Sequence, residues 1–92
     1  MKTFACVSQG LSPKEAFENA RAEAKQTKNN TISSILFKKD YEMATYECLQ
    51  GDDLKKVITL SLYTTYKSLQ APAACIRINN NPKTYLFYGW TP

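Results

Sequence analysis

The sequence predicts an α+β fold, with a single helix packed on an antiparallel sheet of five or six strands. Three observations predict it. A well-signalled amphipathic helix follows a short β-prone segment at the N-terminus. The later segments are rich in β-branched and aromatic residues. Turn-forming asparagines, aspartates and glycines separate them. At 92 residues the chain is expected to form one domain, 1–92, and the spacing shows no internal repeat, linker or low-complexity tract.

Residues Thr3–Ser8 read as the first strand, ended by Gly10. Ser12-Pro13-Lys14-Glu15 is a capping box, with proline at the first helical position and Leu11 before it. The helix it opens is predicted over Ser12–Lys28. Phe17, Ala20 and Ala24 form its core stripe, while Lys14, Glu18, Arg21 and Lys25 lie opposite. The small alanines suit a helix lying close on a sheet, and the stripe is expected to meet Ile32, Leu36, Ile58, Leu60 and Leu62. Strands are predicted at Thr31–Lys38 and Tyr41–Leu49, separated by a Lys38-Lys39-Asp40 turn.

The stretch Leu54–Leu69 satisfies two periods. With period two, Ile58, Leu60, Leu62, Thr64 and Tyr66 share a face. With period 3.6, Leu54, Ile58, Leu62, Thr65 and Leu69 form a stripe that Asp52 can cap. The β-branched Val57, Ile58, Thr59, Thr64 and Thr65 favour the strand. The helical alternative would give βαββαβ order, the ferredoxin-like arrangement. Pro72 ends the segment. Ala74–Ile78 and Lys83–Trp90 then make a terminal hairpin around Asn79-Asn80-Asn81-Pro82.

Twelve basic residues against eight acidic ones leave a net charge of +4, and the chain contains no histidine. That excludes Ser-His-Asp and Cys-His catalysis as well as histidine metal sites. The cysteines Cys6, Cys48 and Cys75 match no metal spacing, and reduced thiols are expected. The three glycines are isolated, so no phosphate loop or cofactor motif is present. Asp40 with Glu42, and Asp52 with Asp53, fall in predicted turns rather than among apolar neighbours, which speaks against acid–base work. A non-enzyme without cofactor is expected. MKTFACVSQG lacks the apolar core of a secretion signal, and the uncharged stretch Val57–Tyr66 is too short and polar to span a bilayer. A cytoplasmic protein that does not enter the membrane is therefore expected.

Two interaction surfaces are predicted. Six tyrosines and one tryptophan supply the side chains that dominate protein interfaces. On the strand reading Tyr63 and Thr65 face outward. In the last strand Leu86, Tyr88 and Trp90 are assigned inward, which turns Tyr85 and Phe87 outward beside Lys83 and Arg77. These six are the candidate protein-binding residues, whether the partner is another protein or a second copy. The alternative partner is single-stranded nucleic acid. All carboxylates lie at or before Asp53, and Lys55, Lys56, Lys67, Arg77 and Lys83 follow among aromatics. Lys83, Tyr85, Phe87 and Trp90 fit four positions of an RNP1 motif, although Thr84 and Leu86 stand where that motif has small residues.

In size, lack of catalytic groups and one-helix-plus-sheet layout, the chain resembles small stand-alone inhibitors encoded by phages, such as anti-CRISPR and anti-restriction proteins. The resemblance covers the layout of the whole chain and implies an inhibitor or modulator of host defence, with no site residue carried over.

Overall fold

Two helices and a four-stranded mixed sheet make up the computed structural model, which describes residues 1–27 and 34–92. The elements are β1 (Lys2–Gln9), α1 (Pro13–Gln26), a 3₁₀ turn (Ser34–Phe37), β2 (Tyr41–Met43), α2 (Gly51–Leu62), β3 (Ala73–Asn80) and β4 (Lys83–Thr91). The α+β class stands, but the count of five or six strands does not.

The strand order is β1-β4-β3-β2. β4 runs antiparallel to both β1 and β3, whereas β2 pairs with β3 in parallel. Strands β1, β2 and β3 thus share one direction. The connection through α1 carries the chain from one sheet edge to the other, and the connection through α2 brings it back inward. Two crossovers of the same hand travelling in opposite directions must lie on opposite faces of the sheet. That is the arrangement found. α1 packs with Phe4, Ile35, Ala73, Cys75, Tyr85 and Phe87, while α2 packs with Ala74, Ile76, Tyr88 and their neighbours.

α1 forms as its capping box predicts. Ser12 is the N-cap and its hydroxyl accepts from the Glu15 N–H at 3.1 Å. Ala16, Phe17, Ala20 and Ala24 are its buried face. Gly10 lets the helix sit this close, since a Cβ there would lie 2.5 Å from the Ala16 nitrogen. Of the residues the stripe was expected to meet, Leu36 packs against its cluster and the other described ones do not. Ile58 and Leu62 lie on the opposite face, Leu60 is 68% exposed, and Ile32 is outside the described residues.

Three predicted strands are corrected. Of Thr31–Lys38, the described part contains the 3₁₀ turn Ser34–Phe37. Only Tyr41–Met43 of Tyr41–Leu49 is paired. The third is the ambiguous stretch, which forms α2. Gly51 opens that helix with φ 60, a conformation suited to glycine, and Asp52 and Asp53 sit in its first turn, where carboxylates complement the helix dipole. Leu54, Val57, Ile58 and Leu62 cover the second face of the central strands. The order βαβαββ also differs from the ferredoxin-like βαββαβ alternative.

The hairpin β3–β4 is the centre of the molecule. Both strands are covered on both sides, so the assignment of Tyr85 and Phe87 to an outward face is overturned: they are 2% and 0% exposed. The polar tips on the second face are satisfied by α2. Ser61 Oγ donates to the Val57 carbonyl at 2.6 Å, so its lone pair is left for the Tyr88 hydroxyl at 2.7 Å. The Trp90 indole N–H donates to the Leu62 carbonyl at 2.8 Å, satisfying one of the orphan acceptors at the helix C-terminus.

Circular dichroism should report close to three-tenths helix, since α1 and α2 hold 14 and 12 of the 92 residues. Phe87→Ala should cost about 3–5 kcal/mol, read as a lowered denaturant midpoint, because it removes a ring from the interior. An exposed ring at this position would give a change within about 0.5 kcal/mol.

Candidate functional site

α2 lies over β3 and β4 and leaves β1 bare on that side. Along β1, Phe4, Cys6 and Ser8 turn toward α1, and Thr3, Ala5, Val7 and Gln9 turn to the other face, where they are exposed. Val7 is 55% exposed and stands opposite Leu86 in the ladder, with Ala5 opposite Tyr88 and Thr3 opposite Trp90. The result is a shelf of small side chains. It is bounded by Leu86 and Trp90, and Tyr63 packs edge-on against the Trp90 ring at 5.6 Å.

β1 is also a sheet edge: no strand among the described residues pairs with its outer side, and the Asn19 side-chain amide donates to the carbonyl of its last residue, Gln9, at 2.9 Å. It runs for eight residues in unbroken register with β4, contains no proline or bulge, and has Lys2 as its sole charged side chain. Sheet edges are usually blunted by brevity, proline, bulges or charge. The opposite edge, β2, is protected by being three residues long. β1 carries none of these devices beyond its first residue.

The candidate protein-binding residues do not form one patch. Tyr63 and Thr65 are exposed after the C-terminus of α2. Lys83 is exposed at the hairpin, at the other end of β4. From Lys83 to Trp90, against which Tyr63 packs, the strand spans roughly 23 Å. Arg77 is half-buried, with its Nε buried and unpaired. Tyr85 and Phe87 belong to the interior; Phe87 packs on Phe17 at 5.4 Å.

Four of the five candidate basic residues lie toward one end of the molecule and Lys67 toward the other. Lys55 and Lys56 are exposed in the first half of α2. That end is tied to the hairpin end of β3, where the Gln50 side chain donates to the Ile78 carbonyl and the Leu49 N–H to the Arg77 carbonyl. Arg77 and Lys83 lie toward this end, and Lys67 follows the far end of the helix. The aromatics expected to stack bases are mostly spent in packing, with Tyr66, Tyr85, Phe87 and Tyr88 all buried.

One buried cation was not read from the sequence. Lys38, expected in a solvated turn, is 3% exposed. Its Nζ donates to the carbonyls of Leu69 and Ala71 at 3.3 and 2.9 Å, and burial pulls its pKa below the ordinary lysine value. Its neighbours Lys39 and Asp40 gave only the signal of a polar turn, so no local pattern marks it.

The thiols are free, and Cys6 and Cys75 are poorly nucleophilic. Burial, with the Glu23 charge second, pushes Cys6 up to about 11; burial, with Cys6 second, pushes Cys75 up to about 12. Burial also raises Tyr66, whose hydroxyl donates to the Glu42 carboxylate at 3.2 Å.

Comparison with known protein families, curated proteins and solved structures finds no match to this chain. No helix among the described residues is long and apolar enough to cross a membrane.

Raised thiol pKa values fix an alkaline limit. An unfolded thiol ionises near pH 9.0, whereas Cys6 and Cys75 stay protonated in the fold until about 11 and about 12. Their contribution is fully present below pH 9 and is lost as pH rises through those folded values. The thermal midpoint under reducing conditions should therefore decline from pH 9 upward. Cys75→Ala should show a shallower decline than the native chain over the same range.

Proposed function

We propose that the chain is a non-enzymatic binding protein that occupies a partner protein's surface, in the manner of a small inhibitor or modulator. The observation that carries this reading is the unblunted β1 edge with the bare shelf beside it. An extended segment of a partner can add to such an edge, its main chain supplying affinity and its alternate side chains reading the shelf. Val7, Ala5 and Thr3 offer low relief, with Trp90 and Tyr63 forming a rigid aromatic wall at one end.

The reading rests on the edge and not on the likeness to phage-encoded inhibitors, since the one-helix layout behind that likeness is replaced by two helices. The poor nucleophilicity of the buried thiols and the lack of histidine support a binding role over a catalytic one. Burial of Tyr66, Tyr85, Phe87 and Tyr88 removes most of the stacking platform that favoured single-stranded nucleic acid.

Affinity capture from a host lysate, with and without nuclease, tests the reading when paired with Val7→Lys. The substitution places a charge on an exposed edge position and should leave the melting temperature within about 2–4 °C, as expected of a surface change. A defined protein that survives nuclease and is lost with Val7→Lys is the expected result. Loss of every captured protein on nuclease treatment, or capture indifferent to Val7→Lys, overturns it.

A further inference from the structure

We propose that the cavity beside Lys38 is a binding site for a small organic monoacid, its carboxylate seated on the Lys38 ammonium and its apolar body held by Phe37, Leu69 and Pro72. The cavity has a volume of about 520 Å³, and Gln70 and Ala71 complete this part of its wall. That is within the range of small-molecule sites, roughly 300–1,000 Å³.

The ammonium is the reason for a carboxylate. A lysine headgroup has three N–H donors. Two are spent on the Leu69 and Ala71 carbonyls, and the third has no protein partner among the described residues. Both partners are neutral, and burial pulls the Lys38 pKa below its ordinary value. Buried charges are ordinarily paired, because an uncompensated one is costly. This one has no carboxylate partner among the described residues.

The surroundings narrow the class. The stem of Lys38 passes beside Gly89, and its headgroup is held by the two carbonyls it donates to. Lys39 and Asp40 also line the cavity and offset each other in charge, leaving Lys38 as its net cation. A single positive charge with one unspent donor suits a monoanion better than a phosphate. Phe37 and Leu69 are 64% and 38% exposed, and an apolar ligand body would cover both.

The test is a titration of the isotope-labelled full chain, followed by amide shifts, with 4-phenylbutyrate and its uncharged analogue 4-phenylbutyramide. Shifts at Phe37, Lys39, Gln70 and Ala71 are expected, with the acid about tenfold tighter than the amide, the ratio one charge-assisted hydrogen bond provides. No shift at these residues, or equal binding of acid and amide, overturns the proposal. Lys38→Met should abolish the preference for the acid. If that variant fails to fold, Leu69→Asp places a carboxylate at the exposed rim and should remove acid binding from a folded chain; retained binding overturns the site. N-acetyl-glycyl-phenylalanine, as free acid and as amide, separates the sources: tighter binding than phenylbutyrate assigns the carboxylate to a peptide C-terminus, and weaker binding to a free acid. Val7→Lys should leave all these titrations unchanged, which keeps this site separate from the β1 edge.

Discussion

Two-sided burial of the β3–β4 hairpin is the constraint on which the rest of this molecule depends. Neither strand alternates in the usual way: Ala73-Ala74-Cys75-Ile76 is buried without interruption, and so is most of Tyr85-Leu86-Phe87-Tyr88. Each face then needs its own cover, and one helix cannot supply both. The alanine stripe of α1 answers the face bearing the bulky Phe87 and Tyr85, while the larger Leu54, Val57, Ile58 and Leu62 of α2 answer the face with Ala74 and Ile76. Full burial of such a side chain contributes roughly 1.5–3 kcal/mol, and even the half-burial of Leu54, Val57 and Ile58 beside the buried Leu62 outweighs the few tenths by which β-branched residues disfavour a helix.

That balance explains what was legible in the sequence. Ser12 through Glu15 announced α1, and the asparagine turn before Pro82 announced the terminal hairpin, because capping and turn chemistry act between close neighbours. α2 was missed because Val57, Ile58 and Thr59 carry strand propensity, and the demand for a second layer comes from residues 15 to 30 positions later. The signal for α2 lies instead in the unbroken apolar runs of β3 and β4, which suit strands covered on both sides. Reading those runs as a one-sided sheet turned Tyr85 and Phe87 outward, and the candidate interface was misplaced with them. β1 was recognised as a strand, but its place at an edge follows from the insertion of β4 between β1 and β3, which no local pattern encodes.

The two proposed sites use different parts of this architecture. The β1 edge is bare because α2 covers β3 and β4 alone, so the second layer stops before the sheet does. The Lys38 cavity arises where the connection after α2 turns back to start β3 and its carbonyls meet the end of the 3₁₀ turn. One is a main-chain surface suited to an extended polymer, the other a small recess suited to a compact ion. They lie on separate connections and have no residue in common.

The insertion of β4 has a kinetic consequence as well. Lys2 pairs with Thr91 and Gln9 with Thr84, so every rung of the first ladder joins residues 75 or more positions apart. During synthesis β1 and α1 emerge before the other elements, yet the strand has no partner until β4 has been made. Contacts of such separation are slow to form, because the loop entropy is lost before any ladder bond returns it. The newly made N-terminal strand is therefore doubly unpaired for that interval, on the side later filled by β4 as well as on the side that stays open.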